Sequence, residues 1–273
     1  MNKTLKIIIC LVLVVVLAGL CFYAGTKYTG FDKKEPEKVE KKEVEKEETK
    51  IKELDLDSKE VKDADLIVPR IFCDGLAIQL EGKDRKLEDL SDKEKLAIAA
   101  SYLSKDLTLD GIPEDEYSGE VHKVIKESDV KVLFEDVSFL QALSKLEDNS
   151  FSLGSNSIYL KDGKYYVNLI ATGCLAKEGA YDSLKLLKAS QNGDELVLTY
   201  AYSYIDSKFD EKVDGFIDEM YKSKEDKTPV LKINNEEATD DKIDWSKFNK
   251  YEFVIDTAND NLRLQEINFI EVK

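Results

Sequence analysis

Histidine is almost absent from this chain: His122 is the only one among 273 residues. Zinc enzymes that draw two or three ligands from histidine are therefore excluded. Any Ser-His-Asp or Cys-His arrangement would have to use this one residue. It sits in Glu120-Val-His-Lys-Val124, on the polar side of a predicted weak helix, where a surface imidazole is the simpler reading. Cysteine is scarce as well. Of the four, Cys10 and Cys21 fall in an apolar segment, Cys73 and Cys174 fall in the remainder, and none has the CxxC spacing of a metal site. Cys73 and Cys174 are candidates for a disulfide in an oxidising compartment. Cys174 follows Gly173, yet no group that would lower its pKa is identifiable, so a packed or bridged sulfur is favoured over a nucleophile.

Other absences narrow the field further. The chain has no GxxxxGK[ST] loop, no GxGxxG after a strand, no HExxH and no GxSxG, which argues against nucleotide enzymes, zincins and the common hydrolases. No cofactor is expected. No cluster of Lys and Arg stands free of acidic residues, and 40 basic against 56 acidic side chains leave a net charge of −16. A nucleic-acid partner is excluded on that ground, because phosphate neutralisation needs a basic surface.

One long apolar run is present. Residues 7–25 read IIICLVLVVVLAGLCFYAG, 19 residues without a charge. At 1.5 Å per residue such a helix nearly spans a hydrocarbon core of about 30 Å. Lys3 and Lys6 precede it, so the positive-inside rule places residues 1–6 in the cytoplasm and the C-terminal part outside, although Lys27, Lys33 and Lys34 reduce the asymmetry. Two alternatives compete with an uncleaved anchor: a cleaved signal peptide, and a lipoprotein modified at Cys21 within Leu17-Ala-Gly-Leu-Cys21. Residues 26–65 form a predicted linker, dominated from Lys33 to Lys52 by Lys and Glu, which cannot bury a core.

Residues 66–273 carry the predicted globular domain. Leu66–Val68 with Ile71-Phe72, interrupted by Pro69, suggests a short edge strand. Ser91-Asp-Lys-Glu94 is a capping box that opens a helix over about 92–105. Val121, Val124 and Ile125 suggest a second helix; Phe139, Leu140, Leu143 and Leu146 suggest a third, with Asp136 as its cap. Ser157–Leu160 and Tyr165–Ala171 flank an Asp-Gly turn and predict a hairpin; Ser183–Ala189 and Leu196–Ile205 predict another. Val213, Phe216, Ile217, Met220 and Tyr221 recur at helical spacing and predict a helix over 210–222. Val230–Ile233 suggests a strand, and Tyr251–Asp256 with Leu262–Val272 a closing hairpin. The order implies an α+β fold, an antiparallel hairpin-built sheet covered by helices, cystatin-like or NTF2-like by analogy.

Tyr159-Leu-Lys-Asp-Gly-Lys-Tyr-Tyr166, Gly173-Cys174, Lys188-Ala-Ser-Gln-Asn-Gly-Asp194 and the hairpin around Tyr251–Phe269 together resemble a loose group of uncharacterised, membrane-anchored extracytoplasmic proteins of Gram-positive bacteria. The resemblance implies a topology and carries no assigned activity.

Two further features bear on function. Tyr200, Tyr202 and Tyr204 share one strand face, either as a binding face or as aromatics capping the core. Acidic groups such as Asp55/Asp57, Glu114–Glu116, Glu236/Glu237 with Asp240/Asp241, and Asp256/Asp260 lack EF-hand spacing and read as solvated loops. The expected function is a non-enzymatic, membrane-tethered extracytoplasmic binding or accessory module for a protein, peptide or wall polymer. The alternatives are a carboxylate-based envelope hydrolase and a structural component of an envelope complex.

Overall fold

A computed structural model describes residues 51–69, 78, 80–108, 120–170 and 179–273. The apolar segment 7–25 and both Cys73 and Cys174 lie outside these residues. Among the described residues no helix is long and apolar enough to cross a membrane.

The architecture is mixed and dominated by two antiparallel sheets. The larger has eight strands: β1 (Lys52–Glu53), β2 (Arg85–Lys86), β7 (Gly179–Asn192), β8 (Glu195–Asp210), β9 (Gly215–Tyr221), β10 (Leu231–Asn234), β11 (Lys250–Asp256) and β12 (Arg263–Ile270). The smaller runs in the order β3-β6-β5-β4, formed by Glu120–Ile125, Lys164–Ile170, Asn156–Lys161 and Ser150–Leu153 respectively. The helices are α1 (Lys59–Asp65), α2 (Asp92–Leu103) and the short α3 (Glu127–Val130). Helix α2 packs on the small sheet, and one continuous core joins that sheet, α1, α2 and the even-numbered face of β8. Each large apolar side chain buried there contributes about 1.5–3 kcal/mol.

Strand β8 organises the large sheet. Along one edge it pairs with β7 over nearly its full length. Along the other edge its first half, 195–201, pairs with β11, and its second half, 204–210, pairs with β9. The sheet therefore forks opposite residues 202 and 203. Leu196, Leu198, Tyr200 and Tyr202 face the main core, whereas Ala201 and Ile205 face a second, smaller cluster with Met220 and Phe248. A bulge between Leu186 and Lys188 in β7 sends Leu187 to that second cluster.

Several sequence expectations are matched. Ser91 caps α2, with both halves of the capping box formed. Asp162 and Gly163 both take positive φ in the β5–β6 turn, as a primed hairpin turn requires. The third helix is present, wound as a 3-10 helix over Ser138–Lys145; its N-cap is Val137 rather than Asp136, which stands one residue earlier and accepts the Ser138 N–H at 2.8 Å. β10 and the β11–β12 hairpin fall where the alternation placed them.

Others are corrected. The helix expected over 210–222 is the β8–β9 turn followed by β9. Asp214 at φ 49° precedes Gly215, and Phe216–Tyr221 pairs with Phe209–Tyr204. Its apolar positions fit helical spacing, yet pairing with an available β8 edge wins over that local pattern. The helix expected at 121–125 is strand β3, for which its β-branched residues are suited, and it pairs with β6. Leu66–Val68, expected as an edge strand, instead closes α1 in turns, with Ile67 and Val68 buried. Residues before Leu66 join the same core: β1 pairs with β7, and Val61 and Ala64 of α1 are buried in it.

A buried ion pair ties β2 to α2. Arg85 Nη1 donates to Glu94 Oε1 at 2.6 Å and Nη2 to Oε2 at 3.1 Å. The Glu94 hydrogen bond is the main cause that holds the guanidinium above its ordinary pKa. Removing one partner strands a buried charge, which costs about 3–5 kcal/mol. Glu94→Ala is accordingly expected to lower the unfolding free energy by about 3 kcal/mol or more in urea denaturation. A loss below about 1 kcal/mol, the value of an exposed pair, contradicts the role assigned to this pair.

Candidate functional site

The fork in the large sheet creates a cleft of about 280 Å³. Ala201, opposite Lys250, is the last β8 residue paired with β11, and Tyr204, opposite Tyr221, is the first paired with β9. Between them Tyr202 has neither strand directly opposite, and it lines the cleft. The chain leaving β9 supplies Lys222 and Lys224, the start of β11 supplies Asn249 and Tyr251, and Phe269 comes from β12.

Polar groups around the cleft are held by each other. The Tyr202 hydroxyl donates to Asp182 Oδ1 at 2.5 Å, and Lys224 Nζ lies 2.7 Å from Asp182 Oδ2. Asp182 is thus a buried carboxylate with a phenol on one oxygen and an ammonium on the other. Burial first, then donation to Asp182, pushes the Tyr202 phenol far above the ordinary tyrosine pKa. Burial also pushes Tyr251 up to about 12, against the opposing effect of the Gly82 N–H that its oxygen accepts. That bond is 2.9 Å long.

Asn249 closes the fork. Its backbone carbonyl accepts the Tyr202 N–H at 2.8 Å. Its side-chain amide donates to the Lys222 carbonyl at 3.2 Å and accepts the Val272 N–H at 3.0 Å. Lys222 Nζ in turn donates to the Val272 carbonyl at 2.8 Å. The Tyr202 and Tyr251 rings meet edge-on at 5.7 Å, and Tyr251 and Phe269 lie 5.1 Å apart, giving the cleft an aromatic floor.

The residues singled out from sequence are placed as follows. Tyr200 is fully buried and its hydroxyl donates to Asp65, so it belongs to the core. Of the three tyrosines only Tyr202 lines the cleft. Tyr204 is half-buried, with Lys224 Nζ 5.9 Å from its ring centre. His122 is exposed on β3, edge-on to Tyr166. Asp57 pairs with Lys62, Asp240 with Lys185 and Glu237 with Lys242, while Asp256 accepts the Ala258 N–H; Glu114–Glu116 lie outside the described residues. Among the described residues no group of His, Cys, Asp or Glu is placed to hold a metal ion.

Asp182, Lys222, Lys224 and Asn249 were not reached by the sequence reading. A signal existed for Asp182, which shares the core-facing parity of Leu184 and Leu186 in β7. An acid at such a position demands a partner. The predicted strand starts at Ser183, one residue after it.

A second, shallower groove of about 520 Å³ is lined by charges of both signs, among them Lys86, Lys95, Glu135 and Glu266. Without a buried polar network it is an ordinary solvated surface. Comparison with protein-family models, curated sequences and solved structures returns no match.

Because Tyr251 binds its proton more tightly in the folded than in the unfolded state, its contribution is complete below the ordinary tyrosine pKa of about 10 and declines as pH rises toward 12. Stability is expected to fall between about pH 10 and 12, and Tyr251→Phe to flatten that fall. Denaturant midpoints across this range test it; an unchanged slope in the variant contradicts the assignment.

Proposed function

We propose that this chain is a membrane-tethered extracytoplasmic binding module, with the cleft at the fork as its ligand site. The observation that carries the proposal is the cleft itself, where an aromatic floor and fixed polar groups converge in a pre-formed concavity. Segment 7–25 would insert in the lipid bilayer, and the Lys/Glu-rich stretch after it would hold the folded unit away from the surface. The resemblance to membrane-anchored extracytoplasmic proteins of Gram-positive bacteria supports the same placement. The partner would be a protein, a peptide or a wall polymer.

Helix α2 seated on the four-stranded sheet is the part that supports a cystatin-like or NTF2-like reading. The forked eight-stranded sheet is an addition to it.

The cleft chemistry favours binding over hydrolysis. A carboxylate-based hydrolase needs an acid with a raised pKa beside a second carboxylate. Here Asp182 is committed to Tyr202 and Lys224, and Glu81 at the rim is held below the ordinary carboxylate range by its hydrogen bond from Lys83. That is the opposite of what a general acid requires.

A C-terminally tagged full chain in intact cells provides the test. Added protease is expected to remove the tag without lysis. Protection until lysis would place the folded unit in the cytoplasm and overturn the proposal.

A further inference from the structure

We infer that the cleft binds an organic monocarboxylate with an apolar body, the carboxylate being held by Lys222 and the hydroxyl of Tyr251. The inference rests on the reading of the cleft as the binding site and adds the chemistry of the ligand.

It follows from an account of donors. The Tyr202 hydroxyl gives its proton to Asp182, and Lys224 is paired with the same carboxylate. Both ends of the Asn249 amide are bonded within the fold. Lys224 and the Ser223 hydroxyl keep further donors, and two more lining side chains have no carboxylate partner among the described residues. The Tyr251 oxygen accepts the Gly82 N–H, but its own proton has no acceptor among the described residues. Lys222 Nζ reaches the neutral Val272 carbonyl and has no carboxylate partner among the described residues. An ammonium carries three N–H donors, so two stay available. A phenol that titrates near 12 remains a donor throughout the physiological range.

Lys222 and Tyr251 both line the concavity, Tyr251 being only 1% exposed, and a cation beside a neutral donor matches an anionic acceptor through charge-assisted hydrogen bonds, the strong kind. The Phe269 ring and Leu80 supply an apolar wall beside them. Glu81 and Glu225 on the rim set the limit on charge. Glu81 is engaged by Lys83, whereas Glu225 has no ion-pair partner among the described residues, so a ligand with a second negative charge meets repulsion there. A volume of about 280 Å³ lies at the lower edge of ligand pockets, which suits one amino-acid-sized acid or the last residue of a peptide.

The test is isothermal titration of the full-length chain in detergent, with N-acetylphenylalanine as probe. Binding is expected, N-acetylphenylalaninamide is expected to fail, and inorganic phosphate is expected not to compete. Lys222→Gln keeps a donor for Val272 and removes the charge; it and Tyr251→Phe should each weaken the acid about tenfold or more. Lys222→Gln should do so with an unchanged melting temperature, which separates the effect from misfolding. The peptide Gly-Gly-Gly-Phe binding more tightly than N-acetylphenylalanine identifies a peptide C-terminus as the source of the carboxylate, and equal binding identifies a free acid. If acid and amide bind alike, if Lys222→Gln binds like the parent, or if phosphate displaces the acid, the carboxylate assignment is overturned while the cleft remains a binding site. If acid, amide and peptide all fail to bind, the carboxylate assignment is overturned, while the protease test on intact cells decides the tethered binding module separately.

Discussion

The structure depends on the two-sided burial of β8. Over residues 200–203 this strand is buried on both faces, against the main core through Tyr200 and Tyr202 and against the second cluster through Ala201. A strand in that position cannot be solvated on either side, so each of its backbone groups must find a partner on a neighbouring strand. On the β7 side one long partner suffices. On the other side two short strands share the work, and neither β9 nor β11 stands directly opposite residues 202 and 203. Asn249 meets the demand there by accepting the Tyr202 N–H. The fork, the cleft and the convergence of distant loops on it all follow from that division of one edge.

The cleft is polar because the fork exposes groups that a continuous sheet would pair. Asp182 on the core-facing side of β7 stands next to the fork, and a buried carboxylate at such a point needs both a hydrogen-bond donor and a counter-charge. Tyr202 and Lys224 supply them. In a chain of net charge −16, Lys222 and Lys224 stand beside one concavity together with Glu81 and Glu225, so its lining carries both signs. Lys224 serves the fold through Asp182, and Lys222 donates to the Val272 carbonyl.

Much of the fold was legible because the signals were local. The Asp-Gly turn at 162–163 and the capping box at Ser91 each determine their element from adjacent residues. The face of β8 that carries Leu196, Leu198, Tyr200 and Tyr202 was legible from period-2 alternation alone. The errors came where local pattern was ambiguous and pairing decided. Val213–Tyr221 satisfies helical spacing, and only the free second half of β8 makes it a strand. Val121–Ile125 became a strand through its pairing with β6. The cleft was not legible, since Tyr202, Lys222, Asn249 and Tyr251 meet through strand register that no sequence window contains. Of the candidate site residues that the structure describes, only Tyr202 lines it, and nothing in its sequence context separates it from the buried Tyr200 two positions earlier.

Asn249 closes the fork and so builds the cleft. Amide hydrogen exchange of the full chain, with and without Asn249→Ala, tests that role most directly. Faster exchange is expected in the variant at Val272, whose N–H loses its acceptor, and at Tyr202 and Gly82 as the fork loosens, with the amides of Leu198 and Phe253 still protected. Unchanged exchange at Tyr202 and Gly82, or an equal rise across the whole sheet, would contradict it.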